Sequence, residues 1–86
     1  MKQIKYFTLL FFILVVNSLF AQLKRANKYY DAYEYAKAIP LYKKVIKKST
    51  TIDALEKLGT SYRQTKNYKE AEVVYADLVK QPNVPP

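Results

Sequence analysis

The sequence predicts an all-α fold: antiparallel helix pairs in two repeats, preceded by a signal-peptide helix. Three observations carry this. Beyond residue 21, apolar and aromatic residues recur at spacings of three and four, one stripe of a helix. The pattern occurs twice, at a constant offset of 33 residues. The chain has a single glycine, and its four prolines are Pro40 and three in the last five residues. Almost nothing therefore interrupts helix formation before the end.

The first 21 residues read as a secretory signal. Lys2 and Lys5 form a short basic start, residues 6–16 are an almost unbroken apolar run, and Asn17, Ser18, Leu19, Phe20 and Ala21 follow. A basic start, an apolar stretch and a small residue before the cut make the layout of a signal peptide. Cleavage is expected between Ala21 and Gln22. A spanning helix needs roughly 20 apolar residues, and Asn17 and Ser18 interrupt this run early. An uncleaved membrane anchor is the alternative. With no cysteine in the chain, a lipoprotein anchor, a disulfide framework and a thiolate metal site are all excluded.

The remainder, 22–81, divides into repeats at about 22–48 and 52–81, with expected helices at about 22–33, 36–48, 53–65 and 69–81. The second repeat is the clearer. Leu55, Leu58, Gly59 and Tyr62 fall on one helical stripe, Lys66-Asn67 is a polar break, and Tyr68, Ala71 and Tyr75 start a second stripe. A mid-helix glycine costs about 1 kcal/mol against alanine. Gly59 and Ala71 therefore mark a close helix crossing. Sliding the first repeat forward by 33 residues lays Ala26 on Gly59, Tyr29 on Tyr62, Tyr35 on Tyr68, Ala38 on Ala71, Tyr42 on Tyr75 and Val45 on Leu78. All of these are expected at packing positions. Pro40 is placed near the first turn of the second helix, where a missing N–H costs little. The stretch from Ser49 to Asp53 supplies a turn and a cap for the third. Asp53 and Lys57, four apart, are expected to pair. The 82–86 tail ends the last helix and reads as a truncated end. Two stacked repeats bury little core, so the sequence reads as a piece of a longer protein, or one that self-associates through the exposed end of repeat 2.

The pattern L55-x-x-L58-G59-x-x-Y62, then Tyr68, Ala71 and Tyr75, resembles the tetratricopeptide repeat (TPR), with Leu55 where that family often has Trp and Pro82 about one position early. The resemblance implies a right-handed α-solenoid segment and a protein-binding role. It also implies a concave face lined by Asn27, Tyr30 and Asp31 from the first helix and Thr60, Arg63 and Gln64 from the third. Some members grip a C-terminal carboxylate with Lys and Asn. Asn27 matches the asparagine, but Leu23 stands at the lysine position, so that clamp is not expected. The signal ending Leu19-Phe20-Ala21-Gln22, followed by two Tyr- and Lys-rich repeats, resembles the N-terminal region of OmpA-family outer-membrane proteins of Bacteroidetes-type bacteria. That resemblance implies a periplasmic or outer-membrane-associated location.

No catalytic constellation is present. With no histidine in the chain, the commonest general base and the commonest metal ligand are missing. There is no Gly-rich phosphate loop, and nothing marks any two carboxylates as a facing pair. The expectation is a non-enzyme with no cofactor and no metal, binding a protein or peptide partner in the envelope and no nucleic acid. Membrane contact is expected only through the signal segment or through indirect outer-membrane association. The net charge of +8 suits acidic partners or anionic lipid. Lys43, Lys44, Lys47 and Lys48 read as a solvated basic end of the second helix, where cations favour the helix dipole. A membrane-anchored basic protein that binds anionic lipid, or a small self-assembling structural protein, is the alternative reading.

Overall fold

The computed structural model describes residues 2–82; the tail residues 83–86 and Met1 lie outside the described residues. Four helices follow one another: α1 (Lys2–Asp31), α2 (Tyr35–Lys48), α3 (Ile52–Gln64) and α4 (Tyr68–Val79). Each packs on the next, α1 on α2, α2 on α3 and α3 on α4. No strand occurs among the described residues. The all-α architecture of adjacent helix pairs is the one the sequence predicts.

The 33-residue offset survives in the backbone. Asp31 and Gln64 end the first helix of each pair, and Tyr35 and Tyr68 begin the second. The two intervening turns are built alike. Tyr33 and Lys66 adopt left-handed backbone, φ 61° and 65°. Glu34 N donates to Tyr29 O at 2.8 Å and Tyr33 N to Tyr30 O at 3.0 Å; Asn67 N donates to Tyr62 O at 2.7 Å and Lys66 N to Arg63 O at 3.0 Å. These six-residue and four-residue closures satisfy the last carbonyls of the helix in the Schellman manner. The turn that reverses the chain is thus the same device in both repeats, although neither uses glycine.

The α2–α3 connection is different, with Thr51 capping α3 by accepting a hydrogen bond from Ala54 N at 3.2 Å. Pro40 sits deeper in α2 than expected, in the second turn. Its missing N–H therefore leaves the Ala36 carbonyl without its helical donor. Both residues are exposed, so water can satisfy that carbonyl and the cost stays small.

α1 departs most from expectation. It runs unbroken through Ala21 and Gln22, because no glycine or proline lies between residues 2 and 31. Among the described side chains of its first half, Leu9, Leu10, Phe11, Phe12, Ile13 and Leu14 are all exposed, and these six consecutive residues cover every side of the helix. By length and composition, α1 is the one described helix able to cross a membrane, a property that signal sequences share. Its second half is an ordinary repeat helix, with Ala26 fully buried and Leu19, Leu23, Tyr29 and Tyr30 packed against the core.

The core joins both repeats: Ala26, Ala38, Tyr42, Val45, Ala54, Leu55, Leu58 and Val74. Of the expected packing residues, Ala26, Ala38, Tyr42, Leu58, Gly59 and Ala71 are buried, and Tyr29, Tyr35, Tyr62 and Tyr75 are half-buried. Tyr68 corrects the expectation. It is 63% exposed although its repeat equivalent, Tyr35, is half-buried. Two rings flank Tyr35, Tyr30 at 5.5 Å and Tyr33 at 6.3 Å, where Tyr68 has Arg63 and Lys66 at the equivalent places; among the described residues α2 also packs on both α1 and α3, whereas α4 packs chiefly on α3.

Candidate functional site

The side chains that converge between α1, α2 and α3 form a polar cluster beside the core. Tyr42, fully buried on α2, donates its hydroxyl to Asn27 Oδ1 on α1 at 2.5 Å. Lys57 Nζ on α3 donates to the same oxygen at 3.2 Å. Lys57 also pairs with Asp53 at 3.3 Å and lies 5.6 Å from the centroid of the Tyr30 ring. Lys57 is thus held by a carboxylate, an amide and an aromatic face. An ammonium over an aromatic face gains about 0.5–1 kcal/mol or more as it loses water.

This cluster revises two expectations. Tyr30 is not free for a partner. Its ring packs edge-on against Tyr35 at 5.5 Å and Tyr42 at 6.3 Å, so it supports the core as well as facing Lys57. Asn27 Oδ1 is already doubly engaged; only Nδ2 lacks a hydrogen-bond partner among the described residues.

The remaining expected residues are spread out. Asn27 and Asp31 line an open groove of about 630 Å³ along α1, with Phe20, Leu23, Lys24 and Lys28. Gln64 lies instead in a shallow depression of about 370 Å³ at the turns, with Tyr33, Glu34, Tyr35 and Lys37. Thr60 is half-buried and shares a hydrogen bond of 3.3 Å with the Tyr75 hydroxyl across the α3–α4 hairpin. Arg63 is exposed, and its guanidinium has no partner among the described residues.

Two residues of this face are not marked by the repeat motif: Lys57, expected only as an ion-pair partner, and Lys24. A signal for them is present in the chain. Lys24 and Lys57 are the same residue type at the 33-residue offset. Phe20, Leu23, Lys24, Asn27 and Asp31 recur at spacings of three and four, and so share one stripe of α1.

The electrostatics favour a stable hydroxyl donor at the centre. Burial, then the Asp53 and Asp31 carboxylates and the Tyr30 hydroxyl, push the Tyr42 pKa well above the ordinary 10.0. The folded state therefore holds a proton that the unfolded chain releases above that value. The resulting stability is fully present below pH 10 and is lost as pH rises beyond it. Absorbance titration of the tyrosines should show Tyr42 ionising last, with helicity falling at alkaline pH. In Tyr42→Phe that late-titrating phase should be absent.

No group of three or more potential metal ligands occurs among the described residues. What the face offers is cations, amides, the Asp31 carboxylate and an apolar floor. A family model for the tetratricopeptide repeat matches residues 53–83. Comparison with curated proteins and with solved structures returns no significant match. Residues 53–83 thus carry a repeat of the tetratricopeptide type, as the spacing of Leu55, Leu58, Gly59, Tyr62, Tyr68, Ala71 and Tyr75 predicts.

Proposed function

We propose that this chain, with its tetratricopeptide-type repeat, is a non-catalytic scaffold that holds an acidic segment of a partner protein against the α1–α3 face. The observation that carries the reading is a set of cations on α1 and α3 with no ion-pair partner among the described residues. Lys24 and Lys28 stand along the α1 groove, and Arg63 stands exposed on α3. Leu23 supplies an apolar floor to the groove, and Asn27 Nδ2 supplies an amide donor. Repeats of this type generally mediate protein–protein binding, and a guanidinium offers two parallel donors to a carboxylate.

The setting we propose is a bacterial cell envelope, the periplasm or the inner face of the outer membrane. The chain would serve there as the N-terminal part of an OmpA-family type of protein. Support comes from the signal-like start and from the Tyr- and Lys-rich repeats. The continuity of α1 through Ala21 favours a second reading, in which residues 1–21 remain as an anchor and present the repeats at a membrane surface. The intact mass of the exported chain decides between them. A chain starting at Gln22 supports processing, and an uncleaved one supports the anchor.

The binding face is tested by Lys24→Glu combined with Arg63→Glu in the full chain. Both residues are exposed and outside the core, so helicity and Tm should be unchanged. Capture of cross-linked partners from the envelope should fall at least tenfold, as removing two charge-assisted contacts predicts. Undiminished capture would exclude this face and turn attention to the lysine-rich end of α2, Lys43 to Lys48.

A further inference from the structure

The turn between α1 and α2 places a tyrosine where the fold gains little from one. Tyr33 adopts left-handed backbone, φ 61°. Glycine, or sometimes asparagine, is the usual occupant of such a helix-ending position, because a Cβ crowds the backbone there. Tyr33 recovers little by burial, being 78% exposed. Its ring contact among the described residues is with Tyr35, at 6.3 Å and 62°. The second turn repeats the same backbone with Lys66, φ 65°, so the turn itself does not call for an aromatic ring. Backbone strain kept without burial in return is a mark of functional positions.

The ring stands at the edge of a cavity. Tyr33 and Tyr35 line the shallow depression of about 370 Å³ together with Glu34, Lys37, Gln64 and Thr65, where the end of α3 passes the α1–α2 turn. Sites for small ligands span about 300–1,000 Å³. Glu34 and Lys37 pair at 3.4 Å, and both remain partly open to solvent. The Gln64 side chain is exposed and has no hydrogen-bond partner among the described residues. Thr65 Oγ1 is already committed, donating to the Ser61 and Tyr62 carbonyls at 2.9 and 3.0 Å.

These groups select a class of ligand. The lining charges, Glu34 and Lys37, cancel, so neither a cation nor an anion is favoured. A carboxylate only accepts hydrogen bonds, an ammonium only donates, and an amide does both. Each hydroxyl of a sugar donates and accepts, so neighbouring hydroxyls satisfy all three groups. The C–H face of the sugar ring then lies on tyrosine, whose body is apolar and whose tip is polar. A proline-rich peptide also docks on aromatic rings. Its proline carbonyls only accept, however, which leaves the Glu34 carboxylate without a donor.

We propose that the depression between the two turns binds a neutral sugar, stacked on the Tyr33 ring and hydrogen-bonded by Glu34, Lys37 and Gln64. The site is separate from the α1–α3 face, since Lys24, Lys28 and Arg63 do not line it. It stands whether or not that face holds a protein segment.

The test titrates the full chain, purified in the processing state the cell leaves it in, with neutral oligosaccharides of glucose, galactose, mannose and N-acetylglucosamine. Binding is read by tyrosine fluorescence and by the amide NMR shifts of residues 33–37 and 64–65. At least one sugar should bind saturably, with the largest shifts at those residues. Tyr33→Gly suits the left-handed backbone better, so Tm should hold or rise. Its affinity should nevertheless fall about tenfold or more, as truncating an aromatic anchor does. Tyr33→Phe keeps the ring and should bind as the unaltered chain does. Tyr68→Ala removes an exposed ring from the second turn, outside the depression, and should also leave affinity unchanged. A Tyr33→Gly chain that binds as tightly as the unaltered one overturns the proposal. So does a chain that binds none of the sugars, or one that binds decaproline at these residues in their place.

Discussion

Tyr42→Ala is expected to unfold the first helix pair, and with it most of the helical signal of residues 22–82. The Tyr42 side chain is fully buried, touches the Tyr30 ring edge-on and anchors Asn27. Truncating a buried aromatic to alanine costs about 3–5 kcal/mol, through lost transfer energy and the cavity left behind. Whole domains are stable by only about 5–15 kcal/mol, and small ones stand at the low end. Circular dichroism at 222 nm and urea titration should therefore show loss of the cooperative transition at 25 °C. Tyr42→Phe is the internal comparison. It keeps the ring and removes only the hydroxyl, while Asn27 Oδ1 retains Lys57. The expected loss is about 1 kcal/mol, the net value of one hydrogen bond. Equal losses from the two variants would show that the ring is not the centre of the core.

Gly59→Ala is expected to destabilise the second pair despite alanine's better helix propensity. A Cβ at this position would lie 2.8 Å and 2.9 Å from the Cε1 and Cζ atoms of Tyr75. Real Cβ atoms do not approach that closely, so the ring must move. The ring is half-buried and its hydroxyl is tied to Thr60, so the movement also loosens the hairpin. Overpacking costs about 1–3 kcal/mol, against a propensity gain of about 1 kcal/mol. A net loss of about 1 kcal/mol should appear in the urea midpoint. Clearing the obstruction should reverse the sign. In a Tyr75→Leu background, Gly59→Ala should stabilise, leaving propensity as the larger effect. A double-mutant cycle measures that coupling directly. If it gives no coupling, Gly59 is not at the crossing.

The two variants probe the same position of the repeat motif from opposite sides. Tyr42 and Tyr75 are equivalents, yet only Tyr42 is fully covered, because among the described residues α2 packs on helices on both sides and α4 packs chiefly on α3. Truncation is therefore expected to cost more at Tyr42. At Tyr75 the tighter constraint is the glycine beneath the ring, since Ala26 takes that place in repeat 1.

The sequence by itself determined which segments are helices, where three of them begin and end, and how the turns fall. These are local properties. The three-and-four spacing, the polar break at Lys66-Asn67 and the turn-and-cap stretch from Ser49 to Asp53 act within a few residues, and the 33-residue offset read each repeat element twice. It also determined the close crossing, since a glycine in the middle of a helical stripe gives up propensity and regains it only where another chain element comes near the backbone. Three things were decided only by the tertiary structure. α1 stays helical past Ala21, because nothing in the chain stops it once its second half is packed on α2. Tyr30 and Tyr68 exchange their expected roles, Tyr30 entering the aromatic cluster and Tyr68 remaining exposed. Lys57 is drawn from a surface ion pair into the cluster around Asn27 and Tyr30. Spacing assigns a residue to a face of its helix, but burial depends on how many helices cover that face. That number belongs to the assembly of helices and not to any stretch of sequence.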